Sequence, residues 1–418
     1  MGIFMRNNDI RILLIKGGGM KGVLPSMMLR EIVKVAGKPI AELFDYISVT
    51  SSASFTALEY IFTDDDGNIK YSPDDIFQTA TEDINSIFPQ NFLNLFLNSF
   101  GMFSAKYNTS GIDGMLSKKF GDAKLADTHI PISAHAFSLS NHMPKTFSTF
   151  KSCINSEENI SLKDFVEATS AAPIFFEPKE IAGEYYVDGG LYANSPAIEA
   201  FVDLKTHYPE LTEDNLIVVS LGTGKVPHTN QYSKGSHGLF QWLVSKNNII
   251  KVLMEASQSS IDYAASKIFK NYYELEPVLT NDQNEMDKPS NIPVLLKLGE
   301  EYIAQNQDKI KSIVAALEGP SHRLKYDCPN AKKYIDLEEY NNSSRFNTLE
   351  PHIDDITIIT ETDSAYWSSY AYSAAKYSAA ALLGMTAGVG LSAYVAMSSA
   401  EALAEIFMTV TDNSVFCH

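Results

Sequence analysis

Cysteine is scarce. The 418 residues hold three, Cys153, Cys328 and Cys417, and no two form a CxxC pair. That spacing argues against a structural zinc site and against a disulfide framework, and it suits a reducing compartment. Basic residues are outnumbered, 33 against 51 acidic ones, for a formal charge of −18. A chain so acidic repels phosphate backbones on average, so a nucleic acid polymer is not expected as a partner. No HExxH motif, paired metal carboxylates or cysteine–histidine signature stands out, and neither a metal nor another cofactor is expected. The first residues, MGIFMRNNDIRILLIKGGG, lack the charged-then-apolar pattern of a cleavable signal peptide. Arg6 stands where a myristoylation motif needs Ser or Thr, and Cys417 lies too near the end for a prenylation box. The expected starting place is the cytoplasm.

What is present is material for a large core, with 45% hydrophobic and 20% charged residues. Over the first 300 residues, short apolar runs alternate with amphipathic stretches, the pattern of a three-layer α/β fold. Ile12-Leu13-Leu14-Ile15 reads as a buried strand that breaks at Gly17-Gly18-Gly19. A helix follows, with Pro25 in its first turn and Leu24, Met28, Ile32 and Val35 on one face. Tyr46-Ile47-Ser48-Val49 reads as a second strand, parallel to the first through a right-handed crossover. Further strands are expected over 130–137, 184–187 and 216–220. The character changes after about Gln307, and residues 316–418 are expected to form a mainly helical accessory region. Within it, 377–400 contains no charged residue, and small residues recur at Ala380, Gly384, Gly388, Ser392, Ala396 and Ala400. Two readings stay open for that stretch, a buried Ala-rich helix and a membrane-contacting one.

Three segments could carry chemistry. Gly17, Gly19 and Gly22 fit GxGxxG between a strand and a helix. A dinucleotide site would need an acidic residue closing the second strand, whereas Asp45 precedes that strand; a Walker loop would need Lys after Gly22, where Val23 stands. What remains is an anion or developing oxyanion at a helix N-terminus, or a bare tight turn. In Val49-Thr50-Ser51-Ser52-Ala53-Ser54, Ser51 could project from a sharp strand-to-helix turn, or the cluster could simply cap a helix. Asp188-Gly189-Gly190 follows an apolar strand and reads either as a turn or as a placed carboxylate.

In order and context these segments resemble the patatin-like phospholipase family. Gly17-Gly18-Gly19-Met20-Lys21-Gly22 is similar to its GGGx[RK]G oxyanion motif, and Leu43-Phe44-Asp45-Tyr46-Ile47 with Thr50-Ser51 to the approach to its nucleophile. Asp188-Gly189-Gly190-Leu191-Tyr192-Ala193-Asn194-Ser195-Pro196 resembles its catalytic-aspartate segment. Ala168-Thr169-Ser170-Ala171-Ala172-Pro173 and Ser220-Leu221-Gly222-Thr223-Gly224 are supporting matches. The resemblance implies a three-layer α/β/α fold with a mostly parallel central sheet, over 9–315. It implies Ser51 as nucleophile and Asp188 as its base, without histidine. Gly17, Gly18, Gly19, Met20, Lys21, Gly22 and Ser52 would then surround the oxyanion and substrate, with Lys21 meeting a lipid phosphate or lying on the surface. The implied activity is phospholipase A or lysophospholipase hydrolysis of membrane phospholipid or lysophospholipid at a bilayer surface. A homo-oligomer, a protein or small-molecule activator, and a secreted effector without a cleavable signal peptide all fit the family.

Two features depart from it. Val49 and Ala53 replace the glycines of the family's GxSxG elbow, which raises the alternative of a catalytically impaired lipid-binding or scaffolding protein. Position 16, often Asp in the family, is Lys16, so the charge before the glycine loop is inverted.

Overall fold

The computed structural model describes residues 9–64, 67–83, 110–227, 249–285, 288–318 and 324. The stretch 377–400, with its two readings, lies outside the described residues. Eight strands form one sheet: β1 Ile10–Ile15, β2 Tyr46–Thr50, β3 Ile132–Ser138, β4 Met143–Ser148, β5 Lys179–Ile181, β6 Glu184–Asp188, β7 Leu216–Leu221 and β8 Asn271–Leu275. Their order is β5-β6-β3-β2-β1-β7-β8, with β4 also on β3. The pairs joining β3, β2, β1, β7 and β8 are all parallel. β4, β5 and β6 pair antiparallel.

Every residue of β1, β2 and β7 is buried, as expected for parallel strands covered on both faces. Alternation in β1 divides the core: Leu13 and Ile15 enter one cluster, Ile12 and Leu14 the other. The helices α1 Val23–Ala36 and α2 Ala53–Ile61 supply Met28, Leu29, Ile32, Ala57 and Leu58 to the first. After α3 Leu162–Ser170 and the single turn α4 Gly190–Ala193, α5 Ala197–His207 covers the second with Ala197, Ala200 and Leu204. The long helix α6 Ile249–Ile268 is followed by α7 Ile292–Gln305 and α8 Gln307–Ala316. Ile310, Ile313 and Leu317 complete the first cluster. The result is a three-layer α/β/α fold about a mostly parallel sheet.

The register places the chemistry. Thr50, the last residue of β2, pairs with His135 of β3, and Asp188, the last of β6, pairs with the next residue, Ala136. Both lie on the edge of β3 opposite β4, which meets the same residues through Thr146 and Lys145. β2 and β6 therefore run head to head along one lane, so that Ser51, the next residue after β2, faces the end of β6.

Strands β4, β5 and β8 escape a sequence reading. β4 opens Met-Pro-Lys, and a proline is tolerated there because the strand lies at an edge. β5 has three residues, and β8, Asn-Tyr-Tyr-Glu-Leu, is a half-buried edge strand without an apolar alternation. One cysteine expectation needs amending: Cys153 is disulfide-bonded.

Val49 does not crowd the elbow. It is fully buried in the first cluster beside Ile15, Ala53 and Ala57, where its branched side chain is part of the helix–sheet packing. Restoring the family glycine is therefore expected to harm. Val49→Gly should lower unfolding stability by about 2–4 kcal/mol in a denaturant titration, from lost burial and backbone entropy. Ester turnover should not rise.

Candidate active site

Ser51 has φ 57°, a left-handed backbone conformation that L-residues other than glycine, asparagine and aspartate seldom adopt. Local bonds hold it there. Its carbonyl accepts from the N–H of Ser54 at 3.0 Å and from Ser54 Oγ at 2.7 Å. Its N–H donates to Thr169 Oγ1 at 3.0 Å, and Thr169 Oγ1 donates to the carbonyl of His135 at 2.5 Å. Thr50 Oγ1 donates to the carbonyl of Ala193 at 2.6 Å. The elbow is thus braced from β3, α3 and α4 together, and strain of about 1–3 kcal/mol can persist when it is so overdetermined.

Ser51 Oγ donates to Asp188 Oδ2 at 2.6 Å. The other carboxylate oxygen, Oδ1, accepts from the N–H of Gly190 at 2.7 Å. Asp188 is fully buried, and burial pushes its pKa up to about 7, partly opposed by the bonds from Ser51 and Gly190. A carboxyl group near neutral pKa is a stronger base than an exposed aspartate. His135, beside the register position of Asp188 on β3, is held neutral: burial lowers its pKa to about 3, and its ring is engaged by Ser48 Oγ and Thr146 Oγ1. Its part is structural, since its carbonyl anchors Thr169 and its backbone closely abuts Gly189.

The glycine loop passes beside the serine. A Cβ on Gly17 would lie 2.6 Å from Asn194 Oδ1 and 3.1 Å from Ser51 Cβ. Gly19 has φ 57°, a turn that glycine makes at no steric cost. The N–H groups of Gly18 and Gly19 take no partner among the described residues, whereas that of Lys21 donates to the carbonyl of Gly18 at 3.2 Å. Ser52 Oγ donates to the carbonyl of Gly19 at 3.0 Å and ties the elbow to the loop. Such an arrangement offers free amide donors next to the Ser51 hydroxyl. Gly18 has no room for a side chain, because a Cβ would meet Thr223 Oγ1 at 2.5 Å. Gly18→Ala should cost about 1–3 kcal/mol of stability through overpacking, and loop displacement should lower turnover by roughly 10²-fold. A thermal melt and an esterase assay on one preparation check both.

A cavity of about 110 Å³ opens over these groups. Gly19, Met20, Ser51 and Asp188 are in its wall, and the remainder is largely apolar, including Phe55, Ile112, Leu116, Phe176 and Met254. An apolar wall of this kind suits a hydrocarbon chain.

Ser51, Ser52, Asp188, Gly17, Gly18, Gly19, Met20 and Gly22 thus converge, but Lys21 departs from expectation. It is neither on the surface nor free for a phosphate: it is buried, its Nζ donates to Asn284 Oδ1 at 2.6 Å, and burial lowers its pKa to about 8. The side chains that sequence reasoning left without a role are Lys16, Thr169, Asn194 and Thr223. The last three lie in motifs quoted for the resemblance, which gave their place and not their bonds.

The family profile described as "Patatin-like phospholipase" matches residues 13–201. Patatin-like protein 1 of Arabidopsis thaliana is 26% identical over 336 residues, covering 70% of this chain and 81% of that protein. A protein of Pseudomonas aeruginosa named as a cGAMP-activated phospholipase is 24% identical over 278 residues, covering 66% of this chain and 80% of its own. VipD from Legionella pneumophila, a crystal structure, aligns with TM-score 0.39 at 14% identity, covering 95% of this chain and 80% of that one, a likeness too loose to carry a functional statement. By the match at 13–201, the order of its motifs and its fold, this chain carries a patatin-like phospholipase domain.

Proposed function

We propose that this chain, through its patatin-like domain, is a working serine hydrolase that cleaves fatty-acyl esters of phospholipid or lysophospholipid at a bilayer surface. The observation that carries the reading is the 2.6 Å bond from Ser51 Oγ to a buried Asp188 at the polar end of an apolar cavity. The reaction follows from that placement. Ser51 Oγ attacks the ester carbonyl carbon as its proton passes to Asp188 Oδ2. Negative charge grows on the carbonyl oxygen, and the amides of Gly18 and Gly19 are the donors that meet it. The carbon–oxygen bond to the lipid alcohol then breaks, and the alcohol oxygen takes the proton from Asp188. Water attacks the acyl-enzyme, giving its proton to Asp188. The fatty acid leaves as Ser51 Oγ regains a proton from Asp188, and the dyad is restored.

The test is fatty-acid release from mixed phospholipid vesicles by the intact protein, Ser51→Ala and Asp188→Asn. It is run with and without cGAMP, because one relative is named for activation by that nucleotide. Release by the intact protein alone supports the reading. Vesicle binding that survives Ser51→Ala, with no release from any version under either condition, would replace it with the lipid-binding alternative. Association with the bilayer is peripheral in this reading; no helix among the described residues is long and apolar enough to cross a membrane.

A further inference from the structure

Lys16, the out-of-pattern charge before the glycine loop, lies away from solvent at 0% exposure. Its Nζ is 2.7 Å from Asp262 Oδ2, 2.7 Å from Glu274 Oε1 and 2.7 Å from Glu276 Oε2. Among the described residues, these carboxylates are the one group close enough together to share a cation, and the ammonium sits at their common point. Three donors meet three acceptors, so the lysine is an internal counter-ion with no bond to spare. Burial alone would favour neutral Lys16, but the surrounding carboxylates prevail and raise its pKa.

Glu276 carries the consequence toward the glycine loop. Its Oε1 accepts from the N–H of Gly224 at 2.5 Å, and its carboxylate fills the space that a Cβ on Gly222 would need. The loop Gly222–Gly224 thereby packs on this side chain, with Leu279 filling the space beside Gly224. Thr223 in that loop donates from Oγ1 to the carbonyl of Gly17 at 2.9 Å. On the other side, Gln258 Nε2 donates to Glu276 Oε2 at 3.4 Å, and Gln258 Oε1 accepts from Asn194 Nδ2 at 2.7 Å. The carbonyl of Asn194 accepts from the N–H of Gly17 at 3.2 Å. Two chains of contact therefore run from one carboxylate to the N–H and the C=O of Gly17. Asp262 also meets Lys16, yet it is in neither chain.

We propose that Lys16 is a positioning residue for acyl transfer, a role that rests on the hydrolase reading above. Its ammonium fixes Glu276, and Glu276, through Thr223 and Asn194, sets the distance of Gly17–Gly19 from Ser51. A displacement of about 1 Å there is enough to cost 10²-fold in rate. The inverted charge is then part of a rebuilt support for the oxyanion loop.

Glu276→Gln, Asp262→Asn and Lys16→Met separate positioning from a merely structural ion cluster. Each is measured for kcat and KM on lipid vesicles, and for amide hydrogen exchange of the peptide spanning Gly17–Met20. Positioning predicts that Glu276→Gln lowers kcat at least tenfold with KM within threefold, and speeds loop exchange at least tenfold. Asp262→Asn should stay within threefold in both. Lys16→Met should follow Glu276→Gln, and if it does not fold, the other two decide. Equal effects of Glu276→Gln and Asp262→Asn on kcat and exchange would overturn the proposal while leaving the hydrolase reading in place. Selective loosening of the loop by Glu276→Gln, in a protein that releases no fatty acid in any version, would instead keep the loop support and remove the hydrolase reading.

Discussion

Ser51→Ala and Ser51→Gly are both expected to abolish fatty-acid release, by roughly four to six orders of magnitude, but to differ in stability. Each removes the Ser51 hydroxyl and its bond to Asp188. They differ in what becomes of the φ of 57°. Alanine still carries a Cβ in the left-handed region, at a cost of about 1–2 kcal/mol. Glycine adopts it freely but loses about 0.5–1 kcal/mol through the greater freedom of its unfolded chain. The glycine variant should therefore be the more stable of the two by about 1 kcal/mol, a rise in melting temperature of about 2–4 °C for a domain of this size. Both melts are taken at one pH so that the titration of Asp188 cancels. A melting temperature for Ser51→Ala at or above that of Ser51→Gly would show that the elbow stores no strain. Inactivity without a stability difference would then assign the serine a chemical role and the turn none.

What the sequence could and could not disclose about this site follows from distance along the chain. The glycine loop, the elbow and the aspartate segment are each written within nine residues, so turn geometry and motif order expose them together with β1, β2 and β6. Support for these segments is long-range. Lys16 is legible as an anomalous charge, but its three acceptors lie 246 to 260 positions away, and no local pattern joins them. Lys21 looked available because nothing near it in sequence could pair with it. Asn284, which accepts its hydrogen bond, is 263 positions on. Val49 shows a related limit. A branched residue before a nucleophile looks like an obstruction until the helix it packs against is seen to carry Ala53 and Ala57 on that face. Buried polar partners leave weak signals in sequence because their value depends on burial, which the local pattern does not fix.

The pH dependence of activity and of stability should run in opposite directions, and both trace to Asp188. The folded carboxyl titrates near 7 because burial disfavours its charged form, whereas in the unfolded chain it titrates near 3.9. Catalysis as proposed needs the carboxylate, so kcat/KM should rise with pH, reach half its plateau near pH 7 and level off above it. Stability moves the other way. Between about pH 4 and 7 the folded state keeps a proton that the unfolded state has released, so raising the pH across that window lowers stability, by at most about 1.4 kcal/mol per unit. Below pH 4 and above pH 7 this group adds no slope. Glu199 and Glu167, whose pKa values burial raises to about 8 and about 7, add slopes of the same sign, so the difference between wild type and Asp188→Asn is the quantity to follow. Asparagine can still accept from Gly190, and it carries no charge to bury. Relative to wild type, the variant should therefore gain stability as pH rises from 5 to 8, while remaining inactive throughout. A stability difference that does not change with pH would mean that Asp188 titrates at its ordinary value, and the proton acceptor for Ser51 would have to be sought elsewhere. A difference that grows with pH alongside an activity midpoint near 7 ties base strength and destabilisation to the same buried carboxyl. The site would then give up stability at neutral pH to keep a base that can deprotonate a serine without a histidine.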